Sequence, residues 1–522
     1  SDMRGGRTAR ALLVAGVFAS LLSAVPVQAA APTRPALLPA CAYGTSAPGV
    51  SGFAARVERD AWSYADGQAG DAPTRSTTAR AFAAAEVAYV YGFPLVEVHD
   101  TIRQFRFRNT TVSIAELTTA ASRRVVSPNV DTLYTVGWLS LTQQPLVLDV
   151  PDTGGRFYTF QLMDGWTNSF AYLGSGSTGT RAGSYLLTPP GWRGTVPSGV
   201  HLIRSPTRTV WLLGRTLVDG AADLPKARPV LQHYTATPLA AWLAGVRGRA
   251  VVFDKAPPAQ AKPATPAGGD FISTLNRQLV LDPPPADQTC VLDALAPAGV
   301  QRPSSSSLAV QAADAADVAG NPSASPLPAP DPAVTAGTTA AVRLIADAAR
   351  TYRATTSNGR AGWSVMTDPW IGNFGRQYLG RAIIATDLLG ANVPRIAVYP
   401  TSYADRSGRP LTGRSRYTIT FPKGELPPVK AFWSLTMYQS DNFLYANSSN
   451  RYAVGDRTGG LHYGKDGSLT LYVQHDPPAS VAQRANWLPA PAVAFHLILR
   501  LYLPKSTALN GTYRIPPLVR AD

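Results

Sequence analysis

The chain has 522 residues, a formal net charge of +15, 45% hydrophobic residues and only two cysteines, Cys41 and Cys290. That length suits two or three domains, and the composition excludes a disordered chain or a disulfide-dense mini-domain. Basic residues are scattered, as in Arg103, Arg106 and Arg108 or Arg406, Arg409 and Arg414. They lack the aromatic interleaving of a single-strand binder, so nucleic acid is not an expected partner.

Arg4, Arg7 and Arg10 precede an uncharged run over 11–27, and Ala29, Ala30 and Ala31 follow it. A basic start, a short apolar core and a small-residue exit describe a secretory signal over 1–31, cut near Ala29 to Ala31, and hence a secreted or extracytoplasmic protein. Leu38-Pro39-Ala40-Cys41 offers a lipoprotein alternative, weakened because Pro32, Arg34 and Pro35 interrupt the apolar run. In an oxidising compartment the blander use of two cysteines is a Cys41–Cys290 disulfide. Beyond the signal no stretch reaches the roughly 18 consecutive apolar residues of a membrane span, so no transmembrane segment is expected.

Residues 32–73, rich in Ala, Pro, Gly and Ser, read as an arm. Ala79, Phe82, Ala83, Glu86, Val87 and Val90 recur at helical spacing and predict a helix over 74–107, kinked or split by Pro94. His99 beside Asp100 reads as a hydrogen-bonded structural pair. Strand-like runs over 132–141, 145–150 and 155–163 read as consecutive antiparallel strands, the last two joined by a hairpin turn at 151–155. Asp152-Thr153-Gly154 spells half of an aspartic-protease signature, but there is no second copy to share its proton, so a turn is expected. The glycines of 174–179 lack the lysine and helix of a phosphate loop. Strands resume over 199–203 and 208–217, giving the spacing of a sandwich or jelly roll.

A Pro/Ala linker covers 254–266, and helices are expected over 271–279 and 286–295. Low complexity over 303–330 reads as a mobile loop. Helices over 331–352 and 373–389 precede strands over 415–421, 430–438, 468–474 and 494–503. The expected fold is α+β and β-dominated, with two β-sandwich (jelly-roll-like) domains and helices preceding and linking them. The expected boundaries are an arm at 32–73, a first domain at 74–253, a linker with helices at 254–356 and a second domain at 357–522.

Tyr91-Gly92-Phe93-Pro94-Leu95, Asn129-Val-Asp131-Thr-Leu-Tyr134, Val150-Pro-Asp-Thr-Gly-Gly155 and Gln161-Leu-Met-Asp164 resemble the first half of the bacterial DUF1254/DUF1214 family. Gly380-Arg381 to Asn392, Leu426-Pro-Pro-Val429, Phe432-Trp-Ser-Leu435, Arg451-Tyr452, Gly455-Asp456-Arg457 and Asn486-Trp-Leu-Pro-Ala-Pro491 resemble the second. The resemblance covers about 75–520 and implies a two-domain, β-rich, often exported protein. It brings no established activity or catalytic residues. The low-complexity insertion and the cysteine pair depart from it.

H-E-x-x-H, C-x-x-C, G-x-S-x-G and Walker patterns are missing, so no cofactor or metal is implied. A zinc site from strand ends, such as His462, His475 and Asp476, is the remaining metal arrangement. Asp131, Asp164, Asp441 and Asp456 lie at strand ends beside aromatics. Paired carboxylates there, with Asp131, Asp164 and Asp456 as catalytic candidates, would suit a hydrolase or lyase on a carbohydrate or other polar small molecule in an inter-domain cleft. Asn129, Tyr134, Trp166, Trp370, Arg376, Trp433, Arg451 and Trp487 are the candidate substrate-binding residues. The opposing expectation is a non-catalytic cell-envelope or ligand-binding protein that uses Trp166, Trp370, Trp433 and Trp487 as contact surfaces. The sequence leaves a homo-oligomer open.

Overall fold

Ten strands build the first region: β1 Thr111–Ile114, β2 Thr132–Ser140, β3 Leu146–Val150, β4 Tyr158–Asp164, β5 Ser169–Gly174, β6 Gly183–Thr188, β7 His201–Arg204, β8 Thr209–Leu217, β9 Thr235–Pro238 and β10 Val251–Phe253. They form two sheets, ordered β10-β1-β2-β8-β4-β5 and β7-β6-β3-β9. The computed structural model describes residues 34–46, 50–104, 107–123, 127–257, 265, 268–319, 331–357 and 360–521. The expected signal at 1–31 lies outside them, as do most of 254–266 and all of 320–330.

Leu146, Leu148 and Val150 of β3 pack against Leu133 and Leu139 of β2 and Phe160 and Leu162 of β4. Alternate residues of each sheet therefore line one shared core, as a sandwich requires. This corrects the expectation of three antiparallel neighbours, because β3 lies in the opposite sheet from β2 and β4. The 151–155 turn is a crossing between layers. Asp152 Oδ1 accepts from the Gly154 N–H at 2.8 Å, and Gly154 and Gly155 take φ of 61° and 82°, which glycine adopts freely.

The second region repeats the architecture with β11 Trp363–Ser364, β12 Ala397–Val398, β13 Thr401–Ser402, β14 Tyr417–Phe421, β15 Val429–Gln439, β16 Ala453–Gly455, β17 Leu469–Gln474, β18 Trp487–Pro489, β19 Phe495–Pro504 and β20 Val519–Arg520. One sheet runs β11-β13-β19-β15-β16, with β12 also on β19, and the other runs β18-β17-β14-β20. Leu435, Leu497 and Leu499 meet Ile419, Leu471 and Val473 between them.

The α-helices among the described residues are α1 Phe53–Asp66, α2 Ala72–Ile102, α3 Leu224–Gln232, α4 Leu239–Leu243, α5 Gly268–Leu281, α6 Thr289–Leu295, α7 Ser307–Ala319, α8 Pro332–Ser357, α9 Tyr378–Asp387, α10 Val481–Ala485 and α11 Ser506–Leu509. The α+β fold is therefore shared by several sheets in two regions and a helical layer. α2 is its axis, contacted by α1, α5, α8 and α9. By length and composition α2 could cross a membrane, yet its apolar stretch is wholly buried in protein.

Three local expectations are corrected. α2 runs through Pro94 unbroken, and Arg381 donates to the Tyr91 carbonyl at 3.2 Å in the turn that proline disturbs. The supposed arm contains α1, whose Phe53, Val57, Ala61 and Ala65 are buried. The supposed mobile loop contains α7, fastened by Val310 and Ala313 against Leu281, by Asp314 to Arg108 and by Asp317 to His99. Cys41 and Cys290 form a disulfide across 249 positions, which leaves no thiol at Cys41 for a lipid. That bridge agrees with an oxidising, extracytoplasmic setting.

Candidate functional site

Polar side chains from both sandwiches meet where the β2–β8–β4 sheet faces the β15–β19 sheet. The Asn129 side chain organises the approach to β2. Its Oδ1 accepts from the backbone N–H groups of Asp131 (2.9 Å) and Thr132 (2.8 Å) and from Thr132 Oγ1 (3.1 Å). With the oxygen committed to donors, Asn129 Nδ2 faces Tyr134 and donates to its Oη at 2.8 Å. Tyr134 is paired in register with Arg215 of β8.

Arg215 Nη1 donates to Gln161 Oε1 at 3.0 Å and to Asn392 Oδ1 at 3.2 Å, and Nη2 donates to the Gly390 carbonyl at 2.8 Å. Asn392 is thereby oriented as Asn129 is. Its Nδ2 donates to Tyr399 Oη at 2.7 Å. Both phenol oxygens thus act as acceptors toward a fixed asparagine, and each O–H hydrogen is left to point elsewhere.

The other wall comes from β15 and β19, where Ser434 and Arg500 are register partners. Arg500 Nη1 donates to Thr436 Oγ1 at 3.0 Å and Nη2 to the Ser127 carbonyl at 2.8 Å, with the guanidinium 5.5 Å from the Tyr438 ring centroid. Asp131 crosses the junction. Its Oδ2 accepts from Ser434 Oγ at 2.6 Å, and its Oδ1 is ion-paired with Arg457.

The electrostatics are uneven. Arg215 and Arg500 are buried, at 7% and 4% exposure, yet among the described residues neither has a carboxylate within 4.0 Å. Burial works against the charge on both, but nearby phenols, and Asp131 for Arg500, turn the balance and hold the pKa above the usual arginine value. Tyr134 and Tyr502 lie within electrostatic reach of both guanidinium groups. Burial, reinforced by Tyr399 and Asp131, pushes the Tyr502 hydroxyl well up, so it stays protonated. Tyr134 and Tyr399 are half-buried and form the accessible side of the cluster. The arrangement can bind and orient a polar group and can donate hydrogen bonds from phenols.

Of the sequence candidates, Asn129, Asp131 and Tyr134 belong to this cluster, and Asp456 stands at its rim. Asp456 is exposed, and its Oδ1 accepts from the Trp433 N–H at 3.2 Å. Asp164 is elsewhere, accepting at Oδ1 from the N–H groups of Trp166 (2.9 Å) and Asn168 (2.8 Å) and at Oδ2 from Asn168 Nδ2 (2.9 Å). Burial raises its pKa to about 6 against those bonds. The expected carboxylate convergence is thus limited to Asp131 and Asp456, and Asp131 is already engaged. Asp441 is exposed and ion-paired with Arg123.

Trp166 is buried against Arg381, whose guanidinium lies 4.8 Å from its ring centroid. Trp433 lies in the second sandwich core beside Phe421. Neither tryptophan can serve as the expected contact surface. Trp370 packs between Tyr352 and Phe374, and Arg376 is exposed on the loop before α9. Arg451 Nη1 donates to the carbonyls of Arg484, Ala485 and Trp487, and Trp487 Nε1 donates to the Gln474 carbonyl at 2.9 Å. These two stiffen the β17–β18 edge.

His475 spends Nδ1 on the Ala490 carbonyl at 3.0 Å. Among the described residues no group of three or more His, Cys, Asp or Glu could hold a metal. His99 corrects another expectation, for it faces Asp282 (3.0 Å) and Asp317 (3.1 Å), while Asp100 binds Arg103. A gap of about 10 Å³ beside Thr167, Leu389 and Gly390 holds about one water and no ligand.

Sequence reasoning missed Arg215, Tyr399, Arg500 and Tyr502. The available signal was a lone arginine inside an otherwise apolar strand, as in Val210-Trp-Leu-Leu-Gly-Arg215 and Phe495-His-Leu-Ile-Leu-Arg500.

Two family models cover the two walls. Residues 108–238 match "Protein of unknown function (DUF1254)" and residues 396–506 match "Protein of unknown function (DUF1214)". The chain carries a DUF1254 segment and a DUF1214 segment. Asn129, Asp131, Tyr134, Gln161 and Arg215 fall in the DUF1254 segment, and Tyr399, Ser434, Arg457, Arg500 and Tyr502 in the DUF1214 segment. The cluster is therefore the DUF1254–DUF1214 junction.

The fold is similar to the crystal structure of the VPA0106 protein from Vibrio parahaemolyticus, with a TM-score of 0.61 and 23% identity over 85% of this chain and 100% of that one. A putative uncharacterized protein from Burkholderia cenocepacia aligns over 90% of this chain and 95% of its own, with a TM-score of 0.38 and 13% identity. No curated protein matches the sequence.

Proposed function

We propose that the DUF1254–DUF1214 junction binds a polar small molecule or sugar, the two domains each supplying one wall. The observation that carries this is the pair of buried guanidinium groups, Arg215 and Arg500, bonded only to neutral oxygens and flanked by the half-buried phenols of Tyr134 and Tyr399. A buried charge without a directly bonded counter-ion is costly, and an anionic or polar ligand would offset that cost. Turnover by a carboxylate pair has less support, because Asp131 is held by Arg457 and Ser434 and Asp164 belongs to a separate cluster.

The second reading is a ligand-binding protein of the cell envelope that performs no chemistry. It is favoured by the engagement of Asp131 with Ser434 and Arg457, which occupies both of its carboxylate oxygens.

A thermal-shift screen of sugars, sugar acids and small hydroxy acids against the wild-type chain and Asn392→Ala tests the reading. Hits whose shift disappears in Asn392→Ala support a junction ligand. Hits that persist at full size in the variant contradict it.

A further inference from the structure

The junction's donors and acceptors are not balanced, and the imbalance says what kind of ligand fits. Asn129 and Asn392 both have a pinned amide oxygen, so each must present its nitrogen to a phenol. Tyr134 and Tyr399, one from each domain, accept those bonds and can only donate onward. Arg215 and Arg500 add guanidinium N–H groups, which never accept. On the accessible side the cluster therefore offers donors from both walls.

The charges follow the same pattern. Arg457 has Asp131 and, at 3.5 Å, Asp219. Asp131 lies within electrostatic reach of Arg500, and Arg215 has no carboxylate partner among the described residues. Asp456 at the rim lies within electrostatic reach of Arg457 and Asp131, so the guanidinium left without a carboxylate neighbour among the described residues is Arg215.

Building on the junction reading, we infer that its ligand carries a carboxylate, such as that of a sugar acid, held by Arg215 and by the Tyr134 and Tyr399 hydroxyls. A planar carboxylate has lone pairs for several such donors, and charge-assisted bonds of this type are about twice as strong as neutral ones.

The experiment is isothermal titration calorimetry on the full chain with three probes: D-glucuronate, its uncharged methyl ester and inorganic phosphate. Glucuronate should bind at least about tenfold more tightly than the ester, and more tightly than phosphate. Arg215→Gln should cost at least about tenfold in glucuronate affinity. Because Arg215 also organises Gln161 and Asn392, Tyr399→Phe is run beside it, and it should weaken glucuronate binding severalfold while the circular dichroism spectrum is unchanged. Equal binding of acid and ester, both lost in Arg215→Gln, would overturn the carboxylate assignment and leave the junction reading standing. Glucuronate binding unchanged in both variants would sink the junction reading itself. Tighter binding of phosphate, or no glucuronate binding up to millimolar concentration, would overturn the inference.

Discussion

Arg457 of the DUF1214 segment and Asp131 of the DUF1254 segment form an ion pair across the junction, with Ser434 Oγ completing the Asp131 coordination at 2.6 Å. The carboxylate that the sequence offers as a catalytic acid is thus a clasp between domains. Breaking a buried pair strands the partner charge and costs roughly 3–5 kcal/mol. Arg457 keeps some contact with water, so Asp131→Asn should fall at or somewhat below the lower end of that range, read as a drop in the urea midpoint. An unchanged midpoint together with lost ligand binding would return Asp131 to a functional role.

His99 links α2 to Asp282 and to Asp317 of α7. Burial alone would lower its pKa, but Asp317 and Asp282 outweigh burial and raise it to about 9. The folded-state value is above the ordinary one of about 6.5, so this stabilisation is complete below pH 6.5 and is lost as pH rises through 9. On the order of 3 kcal/mol should disappear over that window. Denaturation midpoints measured from pH 6 to 9.5 should fall less steeply in His99→Gln than in the wild type, whereas parallel curves would refute the assignment. The groups facing the imidazole are Asp282 beyond α5 and Asp317 on α7, the latter near Arg103 and Arg277.

Glu86 is fully buried in α2, and neither carboxyl oxygen has a hydrogen-bond partner. Burial, helped by Asp60, raises its pKa to about 8. A raised carboxyl favours folding most below its unfolded value of about 4.5 and loses that advantage up to pH 8. Glu86→Gln should therefore stabilise the protein at pH 7, by up to about 3 kcal/mol, and make no difference at pH 4. A destabilised variant at pH 7 would mean that Glu86 serves as an anion.

The Cys41–Cys290 bridge fastens the segment ahead of α1 to α6. Under a reductant such as dithiothreitol the unfolding midpoint should drop, by roughly 3–5 kcal/mol on the loop-entropy argument. A Cys41→Ser, Cys290→Ser double variant should match the reduced protein and no longer respond to reductant. A double variant as stable as the oxidised wild type would show that the bridge is dispensable.

Much of the fold was legible because strands and turns carry local signals. Val150-Pro-Asp-Thr-Gly-Gly155 announces a turn by its own chemistry, and β15 and β19 read as strands from the rough alternation of their apolar and polar side chains. Which sheet a strand joins is not local, so β3 was assigned to the wrong neighbours. α7 was missed because what fastens it is tertiary, Val310 and Ala313 against Leu281 and Asp314 and Asp317 to Arg108 and His99, in a segment whose composition suggests a loop. The site was half legible. Asn129, Asp131 and Tyr134 stand together in sequence, whereas Arg215, Tyr399 and Arg500 meet them only through tertiary pairing.

The central claim is that a carboxylate ligand sits on Arg215 between the two domains. Diffraction from crystals of the chain soaked in D-glucuronate tests it most directly. The account requires carboxylate density within hydrogen-bond distance of Arg215 and of Tyr134 or Tyr399. Density confined to another surface, such as the Arg451–Trp487 edge, with the junction unchanged, would contradict it.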